Sequence, residues 1–250
     1  MSASRRVILS LCALLALAGC GAHVLPEIHS ESDRLATARR LHDQGDYGVA
    51  AELLKTYTSG SAGAADVDQA VYLLGDCYLR TKEWALAAGE FERLLKDYPE
   101  SDSSGAASFR LGEAYFGQAR GEDFDQEFTI KALDQWQSYL RGNPGHWLNA
   151  EAGRRALAAR TRLARKLLAT GQLYLKMRFG APARFYFQQV ADQYSDTQAK
   201  PEADLGLALA NVYEGRRDLA VAQLREVEAQ YPGTKTAARA ARERGRIERR

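Results

Sequence analysis

The sequence predicts an all-α solenoid of about five stacked helix pairs. Apolar residues recur at helical spacing in paired segments joined by short polar corners. Small residues return in one fixed frame along the chain, and Tyr-Pro or similar pairs close the segments at a matching offset. The length of 250 residues, 46% hydrophobic and 26% charged, suits one extended or two compact units of this kind.

The clearest pair runs from Asp68 to Pro99. Val71, Leu74, Tyr78 and Leu79 share one helical face, and Leu86, Phe91, Leu94 and Leu95 share another, with Arg80–Glu83 as the polar corner. Pro99 ends the second helix because proline cannot extend it and biases the residue before it away from helix. Gly75 and Ala87 lie twelve positions apart across the corner, so a small pair there would let the two axes close up. Leu74-Gly75-x-x-Tyr78, Ala87-x-x-x-Phe91 and Pro99 stand at the offsets of the tetratricopeptide repeat (TPR), which this pair resembles. Equivalent alanines occur at Ala50, Ala132, Ala183 and Ala220, in steps of 37, 45, 51 and 37 residues. Ala38, Gly171 and Ala208 precede their references by twelve, whereas Gly112 precedes Ala132 by twenty, which implies an eight-residue insertion in the third corner. The late position of each second helix, small in the consensus, is Tyr57, Leu94, Tyr139, Val190 and Val227, so the repeats are divergent.

Taken in order, the chain opens with Arg5-Arg6 and the apolar run Val7–Leu17, too short to span a bilayer, which reads as a secretory signal over 1–19. Leu17-Ala18-Gly19-Cys20 looks like a bacterial lipobox. That resemblance implies cleavage before Cys20, acylation of Cys20, and, with Gly21 next, sorting to the outer membrane on its periplasmic face. Cys12 falls in the signal, so Cys77 has no disulfide partner and reads as a buried thiol. Residues 20–32 form a lipidated cysteine and tether; its His23 and His29 lack a third metal ligand.

The N-terminal repeats one to three occupy 33–144. The first covers Asp33–Tyr57, and the small, polar Thr58–Ala65 forms a flexible loop after it. In the third, Arg120–Phe128 is the insertion; its four acids lack the glycine and final glutamate of a calcium loop, so it reads as a solvated corner. A long helix and repeats four and five fill 145–234. Asn149–Leu168, rich in Ala, Leu and Arg, predicts one long helix running into repeat four. Its Arg154, Arg155, Arg160, Arg162, Arg165 and Lys166 form a basic cluster, read as a solvated face or a site for an acidic protein. Nucleic acid is disfavoured because an exported protein rarely meets it. Pro182 and Pro201 suit the first turns of helices in repeats four and five. The tail, 235–250, carries seven bases against two acids and reads either as a capping helix or as a dock for anionic lipid or an acidic partner.

A lipobox, a short tether and five TPR-like pairs together resemble the BamD family of outer-membrane assembly lipoproteins. Asp125–Ala156 is the closest local match, with Asp125-Gln126-Glu127-Phe128, Trp136, Tyr139-Leu140 and Pro144, followed by Tyr174–Thr197. The resemblance implies a non-catalytic scaffold without cofactors, anchored to the bilayer by acyl chains. It also implies partners: a barrel-forming, BamA-like subunit, other assembly lipoproteins and unfolded outer-membrane proteins. Around repeat four it points to Arg178, Arg184 and Tyr186 as docking residues, although Phe185-Tyr186 stand where members often have Asn-Arg. The repeat frame itself directs Tyr72, Asp76 and Arg80 of repeat two, and Phe109, Glu113 and Phe116 of repeat three, towards the concave groove. Aromatics with charges suit an extended peptide ending in an aromatic residue, unless the aromatics pack between repeats. No nucleophile elbow, phosphate loop or paired zinc ligands appear, and His42 and His146 stand isolated in the sequence. The alternative role is a periplasmic repeat lipoprotein that scaffolds cell-wall synthesis or binds peptidoglycan.

Overall fold

The computed structural model describes residues 27–60 and 64–249. The signal 1–19, Cys20 and most of the 20–32 tether lie outside the described residues. Within these are eleven α-helices and no strand: α1 (Glu31–Asp43), α2 (Tyr47–Gly60), α3 (Val67–Arg80), α4 (Trp84–Asp97), α5 (Ser104–Gln118), α6 (Glu127–Gly142), α7 (Asn149–Lys176), α8 (Gly180–Gln193), α9 (Lys200–Tyr213), α10 (Arg217–Gln230) and α11 (Lys235–Glu248). None is long and apolar enough to cross a membrane. Every helix packs on the next, and first helices also touch across repeats: α1 on α3, α3 on α5, α7 on α9 and α9 on α11.

Side-chain size sets the fit within each pair. Ala38, Ala50, Ala87, Ala132, Ala183, Ala208 and Ala220 are all fully buried. The expected closure of Gly75 on Ala87 takes a different form, because the ring of Phe91 stands over Gly75. A Cβ on Gly75 would lie 2.7 Å from that ring; one on Gly112 would meet Trp136 and one on Gly171 would meet Phe187. Where the first helix carries alanine instead, at Ala38 and Ala208, the residue four after the reference is the smaller Leu54 or Leu224. Glycine thus faces an aromatic ring and alanine faces leucine, which keeps each interface filled. The oversized late positions Tyr57, Leu94, Tyr139, Val190 and Val227 are buried as well.

The corners share one construction. Gly45, Lys82, Arg178 and Gly215 each sit five residues before a reference alanine and adopt φ of 85°, 65°, 62° and 77°. The next amide then reaches back five residues, as in Asp46 N–H to Leu41 O at 2.9 Å and Glu83 N–H to Tyr78 O at 2.8 Å. This left-handed closure satisfies carbonyls that the helix end leaves open. After repeat one, Thr58–Gly60 continue α2 instead of starting the loop, with the Thr58 and Ser59 hydroxyls bonded to the Lys55 carbonyl.

The third corner is built differently. Gln126 is buried, and its Nε2 donates to the carbonyls of Gly121 and Phe124, both at 3.0 Å. Lys166 of α7 donates to the Glu122 and Phe124 carbonyls at 3.2 and 2.9 Å. The insertion is therefore pinned to the long helix. That helix has 28 residues, about 42 Å at 1.5 Å per residue. Its first half, Ala152 to Leu163, closes a cluster with Phe109, Trp136 and Tyr139. Its second half, from Ala164, joins Phe187 and Val190.

Candidate functional site

One charged chain runs across the first helices of successive repeats. Asp76 on α3 has a side chain only 5% exposed. Its Oδ2 lies 2.9 Å from His42 Nε2 on α1 and accepts from Arg80 Nε at 3.3 Å, while Oδ1 lies 3.6 Å from Arg110 Nε on α5. Arg110 donates to Glu113 at 2.6 Å, and Glu113 meets Arg155 of α7 at 3.1 Å. Arg155 and Arg154 both hold Glu151.

The network shifts its members in consistent directions. The hydrogen bond to Asp76 raises the His42 pKa, against the opposing effect of burial. Burial pushes Asp76 up, but the His42 bond and the Arg110 and Arg80 charges outweigh it, so its carboxyl stays below the ordinary range. Burial also opposes the charge on Arg110, and Glu113 overcomes it. Next to Asp76, burial and the neighbouring carboxylate push the Cys77 thiol up to about 12, so the thiolate that would react is not formed at neutral pH.

Asp76 and Glu113 lie low in this network, and two of its arginines, Arg80 and Arg155, rise above them. Glu113 is 14% exposed, whereas Arg80 and Arg155 are 47% and 44% exposed. Solvent therefore meets guanidinium groups supported from below by carboxylates, with half-buried Tyr72 beside them. Such a surface suits an anionic group, such as a chain-terminal carboxylate, next to an aromatic side chain.

The sequence-derived positions separate here. Asp76, Arg80 and Glu113 belong to the network. Tyr72 lies 5.9 Å from the Phe91 ring, partly packed on the core. Phe109, 1% exposed, is in the core: Tyr139 packs against its ring at 5.9 Å and Trp136 Nε1 donates to its carbonyl at 3.2 Å. It is thus not a groove residue, because α6 closes over it. Phe116 stands 5.6 Å from Trp136, with the Arg162 guanidinium 5.5 Å from its ring. These two line a cleft of about 690 Å³ together with Leu157 and Thr161.

On repeat four, Arg184 is paired with Glu214 at 3.0 Å, Tyr186 stacks on Tyr174 at 5.6 Å, and Arg178 and Phe185 are exposed. Most of the basic cluster on α7 is engaged within the molecule. Arg160 forks onto Asp196 at 2.7 and 3.0 Å, and Arg165 reaches Glu122 at 3.5 Å. Among the described residues no group of three or more His, Cys, Asp or Glu could hold a metal ion.

Sequence reading missed His42, Arg110 and Arg155 as members of the network. Arg110 carried a signal, since it precedes Glu113 by three on one helix. His42 carried none, because its partner is 34 residues away.

Residues 29–221 match the model of the YfiO family, described as outer membrane lipoprotein. No curated protein matches the chain. Among solved structures, a thermophilic TPR protein of Thermus thermophilus is 21% identical, with TM-score 0.39, over 85% of this chain and 97% of that one. A TPR protein of Parabacteroides merdae is 16% identical, with TM-score 0.39, over 87% and 73%. YrrB, described as a TPR protein with an unusual peptide-binding site, is 17% identical, with TM-score 0.36, over 85% and 92%.

Proposed function

Because this chain belongs to the YfiO family of outer membrane lipoproteins, we propose that it is a periplasm-facing scaffold of the machinery that assembles β-barrel proteins in the outer membrane. It is a non-catalytic, repeat-built lipoprotein of the outer membrane. In the proposed role, acyl chains on Cys20 tether it to the bilayer, since more than one chain is needed for stable anchoring. Repeat four, with exposed Arg178 and Phe185 beside the Tyr174–Tyr186 stack, docks the barrel-forming subunit. Other assembly lipoproteins join the same complex.

The groove of α1, α3 and α5 receives unfolded barrel substrate by a carboxylate-ended segment with an aromatic side chain. The observation that carries this reading is exposed Arg80 and Arg155 over buried Asp76 and half-buried Glu113, with Tyr72 alongside. Titrating the protein with a peptide ending in phenylalanine tests it. Arg80→Glu and Tyr72→Ala together should weaken binding about tenfold or more, with helix content unchanged. Equal affinity in the variant would end the groove assignment. Purification of the native protein in mild detergent tests the wider role: co-purified barrel subunit supports it, and cell-wall enzymes or peptidoglycan in its place would support the alternative scaffold.

A further inference from the structure

At the C-terminal end, α7, α9 and α11 enclose a second groove of about 730 Å³. Its floor is apolar, made by Leu175, Leu209, Val212 and Ile247, and half-exposed Tyr213 stands among them. Its walls are basic. Lys176 lines it from the end of α7, Arg178 from the corner after that helix, Arg217 from the start of α10, and Arg239 and Arg246 from α11. Glu243 is the acid in the lining, and Arg246 holds it at 2.9 Å. Arg239 leans on Glu202 at 3.5 Å.

The other three cations differ. Among the described residues, no carboxylate pairs with Lys176, Arg178 or Arg217, although most of the α7 cluster and Arg244 on α11 are matched by acids or carbonyls. The groove thus holds three cations without a carboxylate of their own among the described residues, beside an apolar floor. Unmatched like charges gathered over an apolar floor repel one another until an anionic ligand supplies the missing carboxylates.

We propose that this groove is a second protein-binding site, and that its occupant is an acidic amphipathic segment of a partner protein. One side of that segment would lay apolar residues on Leu209, Val212 and Ile247, while its carboxylates meet Lys176, Arg178 and Arg217. Lys176, Arg178 and Arg217 border the same groove as Leu209, Val212 and Ile247, and cations beside an apolar floor favour an amphipathic segment over a bare anion. The site shares Arg178 with the repeat-four patch, but Arg184 and Tyr186 are not in its lining. It does not depend on the N-terminal groove.

The test uses the purified full chain and a fluorescent twelve-residue peptide in which glutamates alternate with leucine pairs. Saturable binding that weakens as salt rises from about 0.05 to 0.5 M is expected. The double variant Lys176→Glu/Arg217→Glu, both exposed positions, should lose at least about tenfold in affinity at unchanged helix content. Lys55→Glu/Lys131→Glu changes net charge equally at exposed sites elsewhere and should bind as the parent does. A peptide with glutamine for glutamate should bind weakly. Equal binding of the glutamine peptide, equal loss in both double variants, or capture of phosphatidylglycerol vesicles with no peptide binding would each overturn the assignment.

Discussion

Gly75 shows how one missing methyl fixes a helix pair. Its place is taken by the Phe91 ring, 2.7 Å from where a Cβ would stand. Gly75→Ala gains about 1 kcal/mol of helix propensity, yet forcing a Cβ against a packed ring costs about 1–3 kcal/mol. The expected outcome is a net loss in urea denaturation. Adding Phe91→Leu reproduces the Ala-with-Leu arrangement of repeats one and five, and the double variant should exceed the sum of the singles by about 1 kcal/mol.

His42 supplies a pH-dependent test at the same scale. Its folded pKa is raised, so the stability it contributes is complete below its unfolded value near 6.5 and is lost as pH rises through the folded value. Asp76 is shifted down, so its contribution is present above 3.8 and disappears only as pH falls through its lower folded value. Between these limits both groups are charged and the bridge from α1 to α3 is intact. Thermal scans from pH 6 to 9 should show the parent losing stability with rising pH and His42→Gln losing less. Parallel slopes would remove His42 from the account.

Among elements, the corners carry most of the information. Lys82 and Arg178 occupy a left-handed turn position that repeats one and five give to Gly45 and Gly215. A Cβ there costs about 1 kcal/mol, so Lys82→Gly should raise the urea midpoint by an amount worth up to about 1 kcal/mol. The frame exposes this equivalence in the sequence, since all four residues precede an alanine by five. It does not reveal the third corner. There the acidic insertion is solvated, with 121–125 exposed, and is also tied down through backbone carbonyls to Lys166, 42 and 44 residues away. Carbonyls have no sequence signature, and the same acidic string would be written for a free loop. The long helix was legible because it lacks proline and is rich in good helix formers; the engagement of its arginines was not.

In the whole molecule, the cluster around Trp136 joins the repeats before α7 to those after it. Trp136→Ala should cost about 3–5 kcal/mol. Because repeat arrays hold together through nearest neighbours, it should also split one urea transition into two. Hydrogen exchange would assign the earlier one to helices flanking α6.

The helix pairs, their number, the insertion and the buried register of small and large residues are legible in the chain's residues alone, because they follow from local periodicity and from contacts within one pair. Packing of successive repeats settled which of the positions directed towards the groove stay open: Arg80 is exposed, Asp76 and Glu113 sink beneath it in one network, and Phe109 is covered by α6. It also decided which bases are spent and which are left over. Arg160 and Asp196 meet across 36 residues, and Lys176, Arg178 and Arg217 meet no acid among the described residues. Such pairings depend on how successive repeats rotate about the superhelix, a sum of small angles that no single repeat encodes.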